Sequence, residues 1–430
     1  MAAIDNGLTL TIDRLGNGGD GIATHGDSRV FVATALAGER VRVTLEGERA
    51  RLLEVLDPSP HRVAPVCRHF GRCGGCVMQY LALDGQPYRA WKEAIVADAM
   101  ASKAIDHPQI SYIGCVSASR RRAVFSANKT DEALTLGFHL AGSHSIFDLD
   151  ACPVLSVGIN RNLPLLRLIL EALMSRRAPA KVTVTELDNG LDIALAGGVV
   201  GKPSNRLAEV ARLIGDSGAI CRISVDGEVL LTVSEAVLSI STVAVPLPPG
   251  GFVQAVAAAE TAMADLVASA LARALRKVRK PRIADLFAGL GTFSYVAARF
   301  GEVDAMESDK SAVAAMERAT LAAKGLKRIR PQRRDLHREP LGQMELAAYS
   351  AVVLDPPRAG AEAQVRTLAN SAVPLVVMVS CYPPTLARDL RHLVDGGYVV
   401  TALTAIDQFV YSDHVETVAI LEKGRDVKNL

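Results

Sequence analysis

The chain has 430 residues, 49% hydrophobic and 22% charged, and 48 basic residues against 46 acidic ones leave a formal net charge of +2. This is the composition of a soluble globular protein, too long for one ordinary core, so two or three domains are expected. Net charge alone therefore gives no argument for nucleic acid. The first residues carry no basic stretch followed by an apolar run, and no apolar run is long enough to span a bilayer. A cytoplasmic protein without membrane contact is expected, and in that reducing compartment seven cysteines do not form a disulfide frame.

In chain order, residues 8–12, 21–23, 29–32, 40–44 and 49–56 read as short β segments, punctuated by the turn signals of 16–19 and 26–27. So many short strands in residues 1–57 predict a small barrel of the oligonucleotide-binding type, a scaffold suited to presenting a basic face to RNA. Asp57-Pro58-Ser59-Pro60 is a linker. It leads into Cys67, Cys73 and Cys76, three thiols within ten residues, with Cys152 following at a distance. Four such thiols suit tetrahedral zinc or a cubane iron–sulfur cluster, and the distant cysteine followed by Pro153 leans towards iron–sulfur. Cys115 and Cys221 have no such company and are expected in the core.

Residues 88–104 read as an amphipathic helix, a candidate to pack on the C-terminal domain. Mixed β structure follows, with strands over 181–185, 191–195 and 228–233. The Pro- and Gly-rich stretch 246–251 closes a central domain of residues 58–250. From 251 to 430 helices alternate with apolar strands, the pattern of a parallel sheet covered on both faces. Its strand ends carry the chemistry. Residues 282–286 run into a turn with Gly289 and Gly291, where the backbone can turn tightly and approach a ligand. The next strand ends at Glu307, an acid placed to grip a ribose. Residues 351–354 stop at Asp355-Pro356-Pro357, and 376–380 deliver Cys381 into a Pro-rich turn ahead of a helix whose N-terminal dipole is expected to lower the thiol pKa. Arg120, Arg121 and Arg122, and the 324–338 stretch with Lys327, Arg328, Arg330, Arg333 and Arg334, are the candidate basic patches.

Taken with Phe252-Val-Gln254, Thr385-Leu-Ala-Arg-Asp389 and His414-Val-Glu416, these motifs resemble the bacterial RNA 5-methyluridine methyltransferases over nearly the whole chain. That family is S-adenosylmethionine-dependent and carries an N-terminal TRAM barrel. The resemblance implies an α/β multidomain protein: an OB-like TRAM barrel, a central mixed α+β domain with an iron–sulfur loop, and a Rossmann-like class I methyltransferase domain. It implies that Gln254, Phe287, Gly289, Thr292, Glu307, Asp335 and Asp355 line the cofactor site, that Cys381 is the nucleophile and Glu416 the base, and that Cys67, Cys73, Cys76 and Cys152 hold a 4Fe-4S cluster. The implied substrate is uridine in RNA, ribosomal in preference to transfer RNA, flipped into the pocket by a monomer, with Phe125 or Phe252 stacking a displaced base. A non-catalytic RNA-binding or ribosome-assembly factor is the competing expectation. Tyr382 and Val256 stand where family members usually have asparagine, and Thr292 where some do.

Overall fold

Alternation is the first fold-determining pattern. In Arg40–Glu46 the two valines point inwards between exposed arginines, so this strand has one buried face. It lies in a six-stranded curled sheet, in the order Leu8–Thr11, Arg40–Glu46, Arg49–Asp57, Ser28–Val32, Gly21–His25, Arg14–Leu15. Leu10, Ile12, Val30, Val32, Val41 and Val43 close its small core. The computed structural model describes residues 7–200 and 206–424. The outermost residues of the first and third expected domains, 1–6 and 425–430, lie outside the described residues.

A second, seven-stranded sheet runs in the order Ile146–Asp148, Leu134–His139, Arg122–Lys129, Ala180–Leu187, Gly190–Gly197, Ile220–Val225, Glu228–Thr232. The helices Leu163–Leu173 and Leu207–Ser217 pack on it through their apolar residues. Phe125 lies in this core and is 0% exposed, so it cannot stack a base as the sequence suggested.

The C-terminal sheet has eight strands: Ile329–Arg333, Glu302–Glu307, Arg282–Leu286, Ala351–Leu354, Leu375–Ser380, Glu416–Lys423, Tyr398–Asp407 and Ser111–Gly114. Its central strands read as continuous apolar runs because both faces are covered: all six residues of Leu375–Ser380 and all four of Ala351–Leu354 are buried. The first five strands are parallel to one another. Glu416–Lys423 is antiparallel to both strands beside it, which makes the sheet mixed rather than wholly parallel. This is the open, Rossmann-like sheet that the sequence led to expect, with one antiparallel strand inserted.

The outermost strand, Ser111–Gly114, comes from far upstream and pairs with Tyr398–Asp407. The helix before it, Gln86–Ala101, buries Tyr88, Trp91, Lys92, Ile95 and Val96, and one apolar cluster runs from Leu36 and Met78 through this helix into the C-terminal sheet. Lys92 is fully buried. Its ammonium pairs with Asp407 at 2.7 Å and donates to the carbonyls of Ser412 at 2.7 Å and His414 at 2.8 Å, so the loop after Tyr398–Asp407 is wrapped around one buried cation. Among the described residues no helix is long and apolar enough to cross a membrane.

Candidate active site

Four strand ends build the site at the C-terminal edge of the sheet. The strand Arg282–Leu286 ends in a turn where Phe287 takes φ +60° and Gly291 φ +91°. A non-glycine residue held there costs about 1–3 kcal/mol, a strain typical of ligand-binding turns. The Gly289 N–H donates to Glu307 Oε2 at 3.0 Å, and the space where its Cβ would stand is open. Asp355 leaves the neighbouring strand at the same level, with its N–H on the Leu286 carbonyl at 3.2 Å. Beyond it, Ser380 lies opposite Thr417. Because that pair is antiparallel, Cys381 follows one strand end where Glu416 opens the other, and the two meet at the edge.

One cavity of about 590 Å³ takes in Gln254, Phe287, Gly289, Thr292 and Glu307, and also Asp335, Asp355, Cys381 and Glu416. All nine candidate cofactor and catalytic positions therefore face the same space, and its volume suits a nucleoside-sized ligand. The Glu307 carboxylate is already oriented by the Gly289 N–H, the Ser308 hydroxyl at 3.1 Å and the Asp309 N–H at 2.8 Å. An open glycine turn beside a fixed carboxylate fits the adenosine and ribose of S-adenosylmethionine.

Gln254 sits deeper than a cofactor wall. Its Nε2 donates to Asp355 Oδ2 at 3.0 Å, and its Oε1 accepts from Gln408 Nε2 at 3.0 Å. The same Gln408 nitrogen donates to Glu416 Oε2. Among the described residues Gln408 Oε1 has no partner, which costs about 1–3 kcal/mol for a buried acceptor. Burial pushes Asp355 up to about 7 and Glu416 up to about 8; the Asp355 charge adds to the second, and Gln408 opposes it. Burial likewise pushes Cys381 up to about 11, reinforced by Glu416 and Asp355 and opposed by the Arg358 guanidinium. The thiol therefore lies above its usual range and not below it as expected: burial and two carboxylates outweigh the backbone hydrogen bond at Cys381 and the arginine.

Sequence reading missed Gln408: Asp407 also ends an apolar strand, but without the two prolines that singled out Asp355. It also missed Arg121 as a structural residue: its guanidinium pairs with Glu260 at 2.8 Å and reaches the Gln254 carbonyl at 3.1 Å. The basic cluster is therefore divided. Arg120 lies over the Phe409 ring and Arg122 over that of Phe252, a residue 64% exposed that lines the cavity. In the second cluster Arg330 pairs with Glu302 at 2.5 Å and Arg334 with Glu345 at 2.6 Å, so much of its charge is neutralised internally. Barrel arginines are paired as well, Arg40 with Asp57 at 2.8 Å and Arg49 with Asp20 at 3.3 Å. Tyr382 stacks under Arg358 at 4.3 Å, while Val256 begins the helix Ala257–Leu275 without a side-chain cap.

Cys67, Cys73, Cys76 and Cys152 line an adjoining cavity of about 510 Å³ that Cys381, Arg120, Arg122 and Arg358 also border. Burial raises the pKa of Cys73, Cys152 and Cys76, the last to about 12, and the neighbouring thiols add to it. Among the described residues no three His, Cys, Asp or Glu side chains are grouped to hold a single metal ion. Four cysteines lining one cavity are the ligand type of an iron–sulfur cluster. Cys115 and Cys221 are core residues.

Comparison with known proteins decides the family. The tRNA (Uracil-5-)-methyltransferase family model matches residues 247–424. The chain is 43% identical to an uncharacterized RNA methyltransferase of Brucella suis over 97% of this chain and 98% of the relative. It is 34% identical to the 23S rRNA (uracil(1939)-C(5))-methyltransferase RlmD of Halomonas elongata, over 96% of this chain and 89% of that one. The chain belongs to the S-adenosylmethionine-dependent RNA uracil-C5 methyltransferases. A crystal structure of the Pyrococcus abyssi tRNA (uracil-54, C5)-methyltransferase shares the fold of this methyltransferase, with a TM-score of 0.71 over 96% of this chain and 99% of that one at 19% identity. As an enzyme of that family the methyltransferase binds RNA and S-adenosylmethionine, and a non-catalytic role is set aside.

Proposed function

We propose that this methyltransferase modifies C5 of a uridine in large-subunit ribosomal RNA through a covalent bond between Cys381 and C6. The observation that carries the reading is the meeting of Cys381 and Glu416 at adjoining strand ends, Ser380 opposite Thr417, inside the cavity walled by the glycine turn. Uracil C5 is too weak a nucleophile to be methylated unaided. Cys381 gives up its proton to water and adds as the thiolate; as the Sγ–C6 bond forms, the C5–C6 π pair shifts to make C5 enolate-like, and C5 then takes the methyl group as its bond to the sulfonium sulfur breaks. S-adenosylmethionine, held by Glu307, Asp335 and the 287–291 turn, supplies the electrophilic methyl group. Glu416 then takes the C5 proton; the C5–H pair forms the C5–C6 double bond, and the C6–S pair returns to Sγ. The 23S rRNA activity named for the Halomonas relative supports the ribosomal substrate.

Residues 1–57, 58–250 and 251–430 form the proposed working units: a TRAM-type barrel, a cluster-bearing centre and the transfer domain, the helix Gln86–Ala101 being lent to the third. Cys67, Cys73, Cys76 and Cys152 would hold a 4Fe-4S cluster, which would order the wall shared with Cys381. Arg120, Arg122 and exposed Phe252 line the cavity and would hold RNA backbone and a displaced base. The test is transfer of labelled methyl from S-adenosylmethionine to unmodified ribosomal and transfer RNA in parallel, with anaerobically purified protein. Label should appear as 5-methyluridine in ribosomal RNA and vanish in Cys381→Ala. Label in transfer RNA alone would assign the other substrate, which the matching family model's name favours.

A further inference from the structure

We propose that Gln408 is a positioning residue for the proton-removal step, its one amide nitrogen holding the Glu416 carboxylate in place against Gln254 beside Cys381. The inference rests on the reading of Glu416 as the base. The direction of the hydrogen bonds carries it. Gln254 Nε2 is committed to Asp355 at 3.0 Å, so the oxygen that Gln254 turns towards Gln408 can only accept. The Glu416 carboxylate can also only accept when ionised. An uncharged side chain lying between two acceptors must offer two N–H groups, and a primary amide does so. The 2% exposed Gln408 therefore turns its nitrogen inwards and leaves Oε1 without a partner among the described residues.

The amide is anchored from the other side. Gln408 directly follows the strand Tyr398–Asp407, where Ile406 lies opposite Glu416. Downstream, Lys92 gathers the carbonyls of Ser412 and His414. The Tyr411 carbonyl accepts from Val77 at 2.7 Å and Met78 at 3.0 Å, and its N–H is held by the Tyr88 hydroxyl at 2.8 Å. The loop is thus fixed by the helix Gln86–Ala101 and by the segment next to Cys76.

Electrostatics show why a neutral donor belongs at this position. Glu416 faces Asp355 and Cys381; Asp355 faces Glu260 and Glu307 in turn, Arg121 is committed to Glu260, and Arg358 faces Cys381. Gln408 is the neutral donor that favours the ionised Glu416. The ionised form must be present when the C5 proton leaves, since its lone pair forms the new O–H bond as the C5–H pair becomes the double bond and the C6–S pair returns to sulfur.

Two apolar variants, Gln408→Leu and Gln408→Met, test this in single-turnover reactions with labelled S-adenosylmethionine and substrate RNA. Denaturing gels separate methylated covalent adduct from released RNA. The expected result is near wild-type entry of label into the adduct and release slowed about 10- to 100-fold, the worth of a hydrogen bond to a charged group. The pH limb of release should move upwards while S-adenosylmethionine affinity is unchanged. Wild-type release with an unmoved limb in both variants would overturn the proposal. So would parallel loss of cofactor binding, adduct formation and release, which marks a merely structural residue. Glu416→Gln separates the underlying reading: free release of product from that variant removes Glu416 as the base, and with it the role of Gln408.

Discussion

Asp355 occupies a singular place among the residues because its charge is felt by both proposed catalytic groups. Burial holds its carboxyl at about 7, well above an unfolded aspartate. Between pH 4 and 7 the folded chain therefore keeps a proton that the unfolded chain has lost, and this site destabilises progressively as pH rises through that window. Asp355→Asn keeps an acceptor for Gln254 and removes the charge. It should match the wild type only below pH 4, with the gap opening from there and reaching its full size near pH 8, a difference readable in urea denaturation midpoints. A gap that widens towards low pH would contradict this sign. Glu416, pushed up to about 8, gives the companion prediction for rate: product release should climb from pH 7 to 9 as the base ionises. Cys381, Glu307 and Asp355 stood out as candidates in the sequence because each lies at or just past the C-terminal end of a strand in a recognisable motif. Gln408 did not, because the amide it joins lies 154 residues away, and no local pattern encodes that meeting. Arg121 was misread for a related reason: three adjacent arginines look alike in sequence, yet only one finds a buried glutamate on a distant helix.

At the scale of elements, the helix Gln86–Ala101 does more than cover a face. Its buried Lys92 is the cation around which residues 407–414 fold, and burial pulls the Lys92 pKa down while Asp407 restores part of it. Removing one partner of such a pair is costly, whereas removing both is not. Lys92→Met should lose about 3–5 kcal/mol in urea unfolding because the buried Asp407 keeps the Tyr88 hydroxyl but loses its cation, and Lys92→Met with Asp407→Leu should recover most of that. A double variant as unstable as the single one would show that the carbonyl contacts, not the ion pair, carry the effect. The motif Thr385-Leu-Ala-Arg-Asp389 supports the site from behind. Asp389 accepts from Ala361 N–H at 2.6 Å, and Arg388 reaches the Ala359 carbonyl at 2.9 Å. These contacts brace the turn that bears Asp355 and Arg358. Sequence periodicity placed the helix to within a few residues, at Gln86–Ala101 against the expected 88–104. Nothing local in its sequence reveals that Lys92 meets a buried carboxylate from residue 407.

In the molecule as a whole, the domains are not assembled from consecutive stretches of sequence alone. Ser111–Gly114 closes the edge of the C-terminal sheet, and the apolar cluster beneath it draws on residues from Leu36 to Leu421. A fragment of residues 247–424, the span of the family match, leaves the Tyr398–Asp407 edge unpaired and strips the helix Gln86–Ala101 from its face. It should be partly folded, with dye-binding apolar surface and weak near-ultraviolet dichroism. A fragment with cooperative unfolding and native dichroism would contradict the shared core. The alternation of strands and helices made the open α/β sheet legible. The borrowed edge strand was hidden, since four residues of ordinary β pattern carry no sign of which sheet they join.

The most direct test of the account is a denaturing gel of Glu416→Gln incubated with labelled S-adenosylmethionine and unmodified ribosomal RNA. With the proposed base removed, methylated RNA should remain bound to protein as a stable, labelled band, and Cys381→Ala introduced into the same variant should abolish it. Absence of the band while 5-methyluridine is still released, or a band that survives loss of Cys381, would contradict the assignment of Cys381 as nucleophile and Glu416 as base.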